Sequence, residues 1–130
     1  MDEQLTEILA SRQVPADLCV TYDDMHGLWG GSILTVRGDG WLDRQVRPPG
    51  APAPSGSKML IGADELLDLV GLLVELSAWE QRTPDSPPIP DESRAHLTII
   101  LKGGRSVVWE RFNDLPANNR LIRIKDWMAR

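Results

Sequence analysis

Two periods organise the apolar residues of this chain. Near the start, Leu5, Ile8 and Leu9 fall on one helical stripe within residues 2–11, with Asp2 as N-cap and Pro15 as stop. Leu18-Cys19-Val20-Thr21-Tyr22 then reads as a strand, because Val, Thr and Tyr favour a pleated surface. Residues 23–31 contain three glycines in their last five positions and read as a loop. The strongest helical pattern spans 63–80. Gly62 stands at its N-cap, Asp64 and Glu65 complement the helix dipole, and Leu66, Leu69, Val70, Leu73 and Leu76 form the main stripe. Leu72 and Trp79 form a second patch on the same helix, which needs a cover from a terminal helix or a partner. A last helix is expected over 116–129, capped at Asp114 or Leu115, with Leu121, Ile124 and Met128 facing inward.

Two stretches alternate with the period of a strand and break at glycine. Residues 33–46 turn at Gly38-Asp39-Gly40, and residues 97–112 turn at Gly103-Gly104. In the first hairpin a three-residue loop pairs Val36 with Leu42, which keeps Leu34 on the same face and turns Trp41 outward opposite Arg37. A three-residue loop in the second aligns Leu101 with Val107 and Ile99 with Trp109, placing Trp109 on the inner face. The order helix, strand, hairpin, helix, hairpin, helix gives an α+β fold: an antiparallel sheet of about five strands on a central helix, with short N- and C-terminal helices.

A chain of 130 residues suits a single α+β domain over 1–130. The longest apolar run, Leu69 to Val74, is too short to cross a bilayer, and the acidic opening lacks the basic flank of a secretory signal. Cys19 is the one cysteine, which leaves no internal disulfide and makes a cytoplasmic setting the default. Within Leu-Cys-Val it reads as a small buried hydrophobe. Two proline-rich loops, Arg47 to Ser57 and Thr83 to Ser93, flank the central helix. Residues 1–101 carry 7 basic and 16 acidic side chains, whereas 102–130 carry 7 and 3, a split that can guide docking.

The chemistry-bearing residues are few. Asp23, Asp24 and His26 follow a strand, with His96 opening another, and two carboxylates with an imidazole could serve a small metal-assisted hydrolase. A polar loop closing a strand is the favoured account of their presence, so neither catalytic nor metal residues are assigned and no cofactor is expected. Arg120, Arg123 and Arg130 beside Trp127 form a short basic stripe, but a pI near 4.9 and dipole pairing at a helix end argue against nucleic acid. Five tryptophans stand against one Tyr and one Phe. Trp29 in the glycine-rich loop, Trp41 and Arg37 form the candidate partner-binding set, since Trp and Arg dominate protein interfaces. A homodimer through Leu72 and Trp79 is the further alternative.

Gly30-Gly31 before a strand, the Asp39-Gly40 turn, the leucine-rich helix, the proline-rich loop with its acidic residue, and Gly103-Gly104-Arg105 before Val108-Trp109 together resemble a broad group of small bacterial α+β domains. In layout this group is similar to the emfourin type, small protein inhibitors of thermolysin-like metalloproteases. The resemblance covers about residues 28–112 and implies a non-catalytic α+β domain. The expectation of a non-enzymatic protein-binding module, inhibitor-like or adaptor, comes from the weak catalytic constellations and the unassigned tryptophans. Emfourin-like sequences continue the glycine pair into Phe-Ala-Gly, where this chain has Ser32-Ile33-Leu34, so no inhibitory residue is carried over.

Overall fold

The computed structural model describes residues 1–26, 28–82, 94–111 and 120–129. Among these residues, six strands form one antiparallel sheet: β1 (Cys19–Asp23), β2 (Gly31–Arg37), β3 (Trp41–Arg47), β4 (Ser55–Leu60), β5 (Arg94–Leu101) and β6 (Gly104–Arg111), in the order β4-β3-β2-β1-β5-β6. The chain meanders outward from β1 to the β4 edge. Helix α2 (Ala63–Glu75) then carries it back, so that β5 pairs with the other side of β1. Helices α1 (Asp2–Ser11), α2 and α3 (Arg120–Met128) line one face of the sheet.

Alternation decides what that inner face buries. Val20 and Tyr22 of β1, Leu34 and Val36 of β2, Leu42 of β3, Ala95, Leu97, Ile99 and Leu101 of β5, and Val108 of β6 all point toward the helices. They meet Leu5 and Ile8 of α1, the Leu66, Leu69, Val70 and Leu73 stripe of α2, and Leu121, Ile124 and Met128 of α3. Apart from Leu9 and Leu76, which are only partly buried, the expected inward residues of all three described helices are therefore in the core. Leu9, Leu72 and Trp79 pack at its margin.

The sixth strand lies partly in the segment expected to be a proline-rich loop. Ser55-Gly56-Ser57-Lys58-Met59-Leu60 has no apolar alternation because every residue of β4 is exposed, and an edge strand with little to bury leaves no hydrophobic signal. Asp2 is the first residue of α1 rather than its cap. Met1 occupies that place, and Arg12 ends the helix in a left-handed conformation before Pro15 is reached. Helix α2 stops five residues early: Ser77 takes a φ of 47°, and the following turn buries Ala78 and lays Trp79 against the core. The expected start of the last helix at 116 and its caps lie outside the described residues.

The first hairpin has the expected register, with Val36 opposite Leu42. Gly40 takes a φ of 97°, as the three-residue loop requires. The second hairpin departs from expectation. Its turn is the two-residue Lys102-Gly103, both at positive φ (50° and 77°), so Leu101 pairs with Gly104, Ile99 with Ser106 and Leu97 with Val108. This primed turn matches the right-handed twist of its strands, and that local match outweighs the disfavoured left-handed lysine. The shift turns Trp109 to the outer face, opposite His96.

Candidate functional site

No described element covers the second face of the sheet. Its central positions are half-buried: Cys19, Thr21 and Asp23 on β1, Ile33 and Thr35 on β2, His96 and Thr98 on β5. Cys19, expected as a small buried hydrophobe, is therefore half-buried instead. An odd-numbered position beside inward Val20 places it on the open side, between Arg37 and Ile100. Behind it, Thr21 and Thr35 are paired residues with their hydroxyls 3.4 Å apart.

At the end of the sheet where β2 turns into β3, successive pairings draw one row across all six strands. Leu60 pairs with Trp41; Arg37 shares the face of Trp41 across the turn and pairs with Cys19; Cys19 pairs with Ile100, and Ile100 with Arg105. At the usual strand spacing the row is about 24 Å long. Leu60, Trp41 and Ile100 are 61%, 38% and 38% exposed, although all three are large and apolar. The row holds two arginines and no carboxylate of its own; Asp39 in the turn reaches Arg37 at 3.7 Å. Val107, also exposed, flanks it from the next rung.

Of the three candidate partner-binding residues, the fold brings Trp41 and Arg37 together and separates Trp29 from them. Trp29 precedes β2, whereas Arg37 ends it, a span of about 20 Å. It is 64% exposed in a tight turn closed by reciprocal main-chain bonds between His26 and Gly30. There the His26 Nδ1 accepts the N–H groups of Leu28 (3.1 Å) and Trp29 (3.4 Å). Arg47 donates to the His26 carbonyl from beneath, and to that of Ala51 at 3.0 Å.

The acidic pair before that turn is split by strand alternation. Asp23 stays on the open face, its Oδ1 accepting the Met25 N–H at 2.9 Å. Asp24 is buried on the helix side and serves as a rivet. Its Oδ2 accepts the Tyr22 hydroxyl at 2.8 Å and the Lys125 ammonium at 2.7 Å; its Oδ1 accepts the Ser32 N–H at 2.6 Å. Lys125 thus ties α3 to the β1–β2 end of the sheet. Burial, with the Asp24 charge reinforcing it, pushes the Tyr22 phenol far above its ordinary range. The cross-strand neighbour of Asp23 is His96, not His26. Among the described residues, no three His, Cys, Asp or Glu side chains come close enough to hold one metal ion.

A second buried pair, Glu110 with Arg120 at 3.2 Å, joins β6 to α3, and Arg120 also donates to the Ser77 carbonyl at 3.2 Å. Desolvation lowers the Arg120 pKa and the Glu110 carboxylate opposes it. On the open face beyond, the Arg94 guanidinium lies 3.8 Å from the centre of the Trp109 ring, with Arg111 on the same ring at 5.7 Å. Leu72 shares a shallow groove with Arg123, Asp126 and Trp127, so the last helix partly covers the second patch of α2. Arg123 pins the two helices through Glu75 at 2.8 Å.

Sequence reasoning missed Leu60, Ile100 and Arg105. Leu60 lay in an unrecognised strand, and the other two needed the β1–β5 and β5–β6 registers before they could join Trp41. No protein-family model matches the chain, and no curated protein matches it. Among the described residues, no helix is long and apolar enough to cross a membrane.

Proposed function

We propose that this chain is a non-enzymatic protein-binding module, inhibitor-like or adaptor, whose docking surface is the row Leu60, Trp41, Arg37, Cys19, Ile100 and Arg105. The observation that supports this reading is the exposure of Trp41, Leu60 and Ile100 on a sheet face that no described element covers. Exposed apolar residues scattered singly mean little. Here Leu60 and Trp41 are cross-strand neighbours with Arg37 next in the row, and Ile100 pairs with Arg105 at its far end. This mix of aromatic, aliphatic and arginine side chains has the composition of an interface centre. Trp41 contributes a large rigid surface at small entropic cost, and Arg37 and Arg105 favour a partner with an acidic rim. Trp29 belongs to a separate place on the molecule and is not part of this row.

The test compares partner capture from the host lysate by the wild-type chain, Trp41→Ala, Arg105→Ala and a helix-side control, Glu3→Ala. Trp41→Ala should lose the species held by the wild type, by about tenfold or more for a hot-spot tryptophan, while its melting temperature stays within a few degrees. Capture unchanged in Trp41→Ala and Arg105→Ala, with both folded, refutes the reading.

A further inference from the structure

We infer that the β4 edge is a docking site for an extended segment of a protein partner, which adds to the sheet as a seventh strand through main-chain hydrogen bonds. The two edges of the sheet are treated differently. On β6, the main-chain groups of Trp109 that point away from β5 are both taken by the Gln81 side chain: Oε1 accepts the N–H at 2.8 Å and Nε2 donates to the carbonyl at 2.7 Å. One glutamine amide there replaces the peptide group of a neighbouring strand. Nothing comparable meets β4 among the described residues.

Register tells which β4 groups are on offer. The Ile61 N–H donates to Gly40 at 2.8 Å, and the pairing of β3 with β4 continues from it through Leu42–Met59, Arg44–Ser57 and Val46–Ser55. Residues 55, 57 and 59 therefore face β3, and the N–H and C=O groups of Gly56, Lys58 and Leu60 point out of the sheet. All six residues of the strand are exposed. Such a row of main-chain donors and acceptors is a template for strand addition.

The side chains around this edge specify the occupant. Of the eight large hydrophobics exposed among the described residues, four lie on β3 and β4: Trp41 and Leu60 on the open face, Val46 and Met59 on the helix face. An incoming strand with apolar residues on both faces would bury them, since successive side chains alternate. Lys58 is the only charged residue of β4, and its contact with Asp43 is long, at 4.0 Å. The chemistry fits an antiparallel strand with one apolar residue beside Leu60, one beside Met59 and a carboxylate beside Lys58. A second copy fits less well, because a two-fold centred on Lys58 would set two ammonium groups opposite each other.

The probe is a capped synthetic hexapeptide, Thr-Val-Ile-Glu-Thr-Thr, titrated into the whole chain while backbone amide signals are followed. Addition should slow exchange at Gly56, Lys58 and Leu60 and leave Met59 unaffected, because that amide already faces β3. Lys58→Pro removes an outward donor without touching the β3 ladder, so it should keep the melting temperature and weaken peptide binding about tenfold or more. Lys58→Ala should weaken it only a few-fold. Protection elsewhere on the sheet, or equal binding by Lys58→Pro, overturns the inference; amide mapping on the wild type decides even if the proline variant does not fold. Concentration-dependent self-association abolished by Lys58→Pro would also overturn it, by giving the edge to a second copy. Trp41→Ala leaves the outward amides in place, so failure of the edge and failure of the row are separable.

Discussion

Tyr22 is the only tyrosine in the chain, so tyrosinate absorbance reports one buried group and nothing else. Its phenol donates to Asp24 at 2.8 Å inside the β1–α3 rivet, and both burial and that carboxylate oppose ionisation. The folded-state pKa is thus raised above the unfolded value, which lies near 10. Below that pH both states hold the proton and the group has no effect on stability with pH. As pH rises past about 10, the unfolded chain loses its proton first, and stability falls by about 1.4 kcal/mol per pH unit. A domain of ordinary stability, about 5–15 kcal/mol, therefore absorbs this loss over about the first three units above that point. In an alkaline titration, tyrosinate absorbance should rise only together with loss of the far-ultraviolet circular dichroism, in one cooperative step. Tyr22→Phe deletes the slope but also a hydrogen bond to a charged group, worth about 1.5–3 kcal/mol, so its urea midpoint at neutral pH should be lower and its alkaline decline shallower. A phenol titrating near 10 with the circular dichroism intact would refute the argument.

Other outcomes follow from the edges and the turn. Gln81→Ala should speed amide exchange at Trp109 and cost about 1 kcal/mol in urea unfolding, because two main-chain groups return to water rather than being buried unpaired. Lys102→Asn should stabilise by about 0.5–1 kcal/mol, since asparagine tolerates the left-handed conformation that Lys102 adopts at φ 50° and the Lys102 pair with Glu7 is long and exposed. Gly103→Ala, at φ 77°, should cost a similar amount in the same thermal or urea assay.

Local chemistry announced the helices, the strands that bury a face and the first turn. A stripe at helical spacing can satisfy its apolar side only against a core, so Leu66, Leu69, Val70 and Leu73 were readable before any partner element was known. Gly38-Asp39-Gly40 left one register that kept Leu34, Val36 and Leu42 together. The same hydrophobic reasoning misplaced the second hairpin, because Val107 and Val108 adjoin in sequence and either can be paired inward; turn geometry, not apolar content, made the choice.

What tertiary structure alone decided was the company each residue keeps. Strand order brought Ile100 and Arg105 into line with Trp41 and set His96, not His26, beside Asp23. The physical reason is that burial leaves a periodic mark on the residues that undergo it, whereas an open face, an exposed edge strand or a cross-sheet neighbour leaves none. The interior of this protein was written along the chain, and its surface was assembled only when distant strands closed against one another.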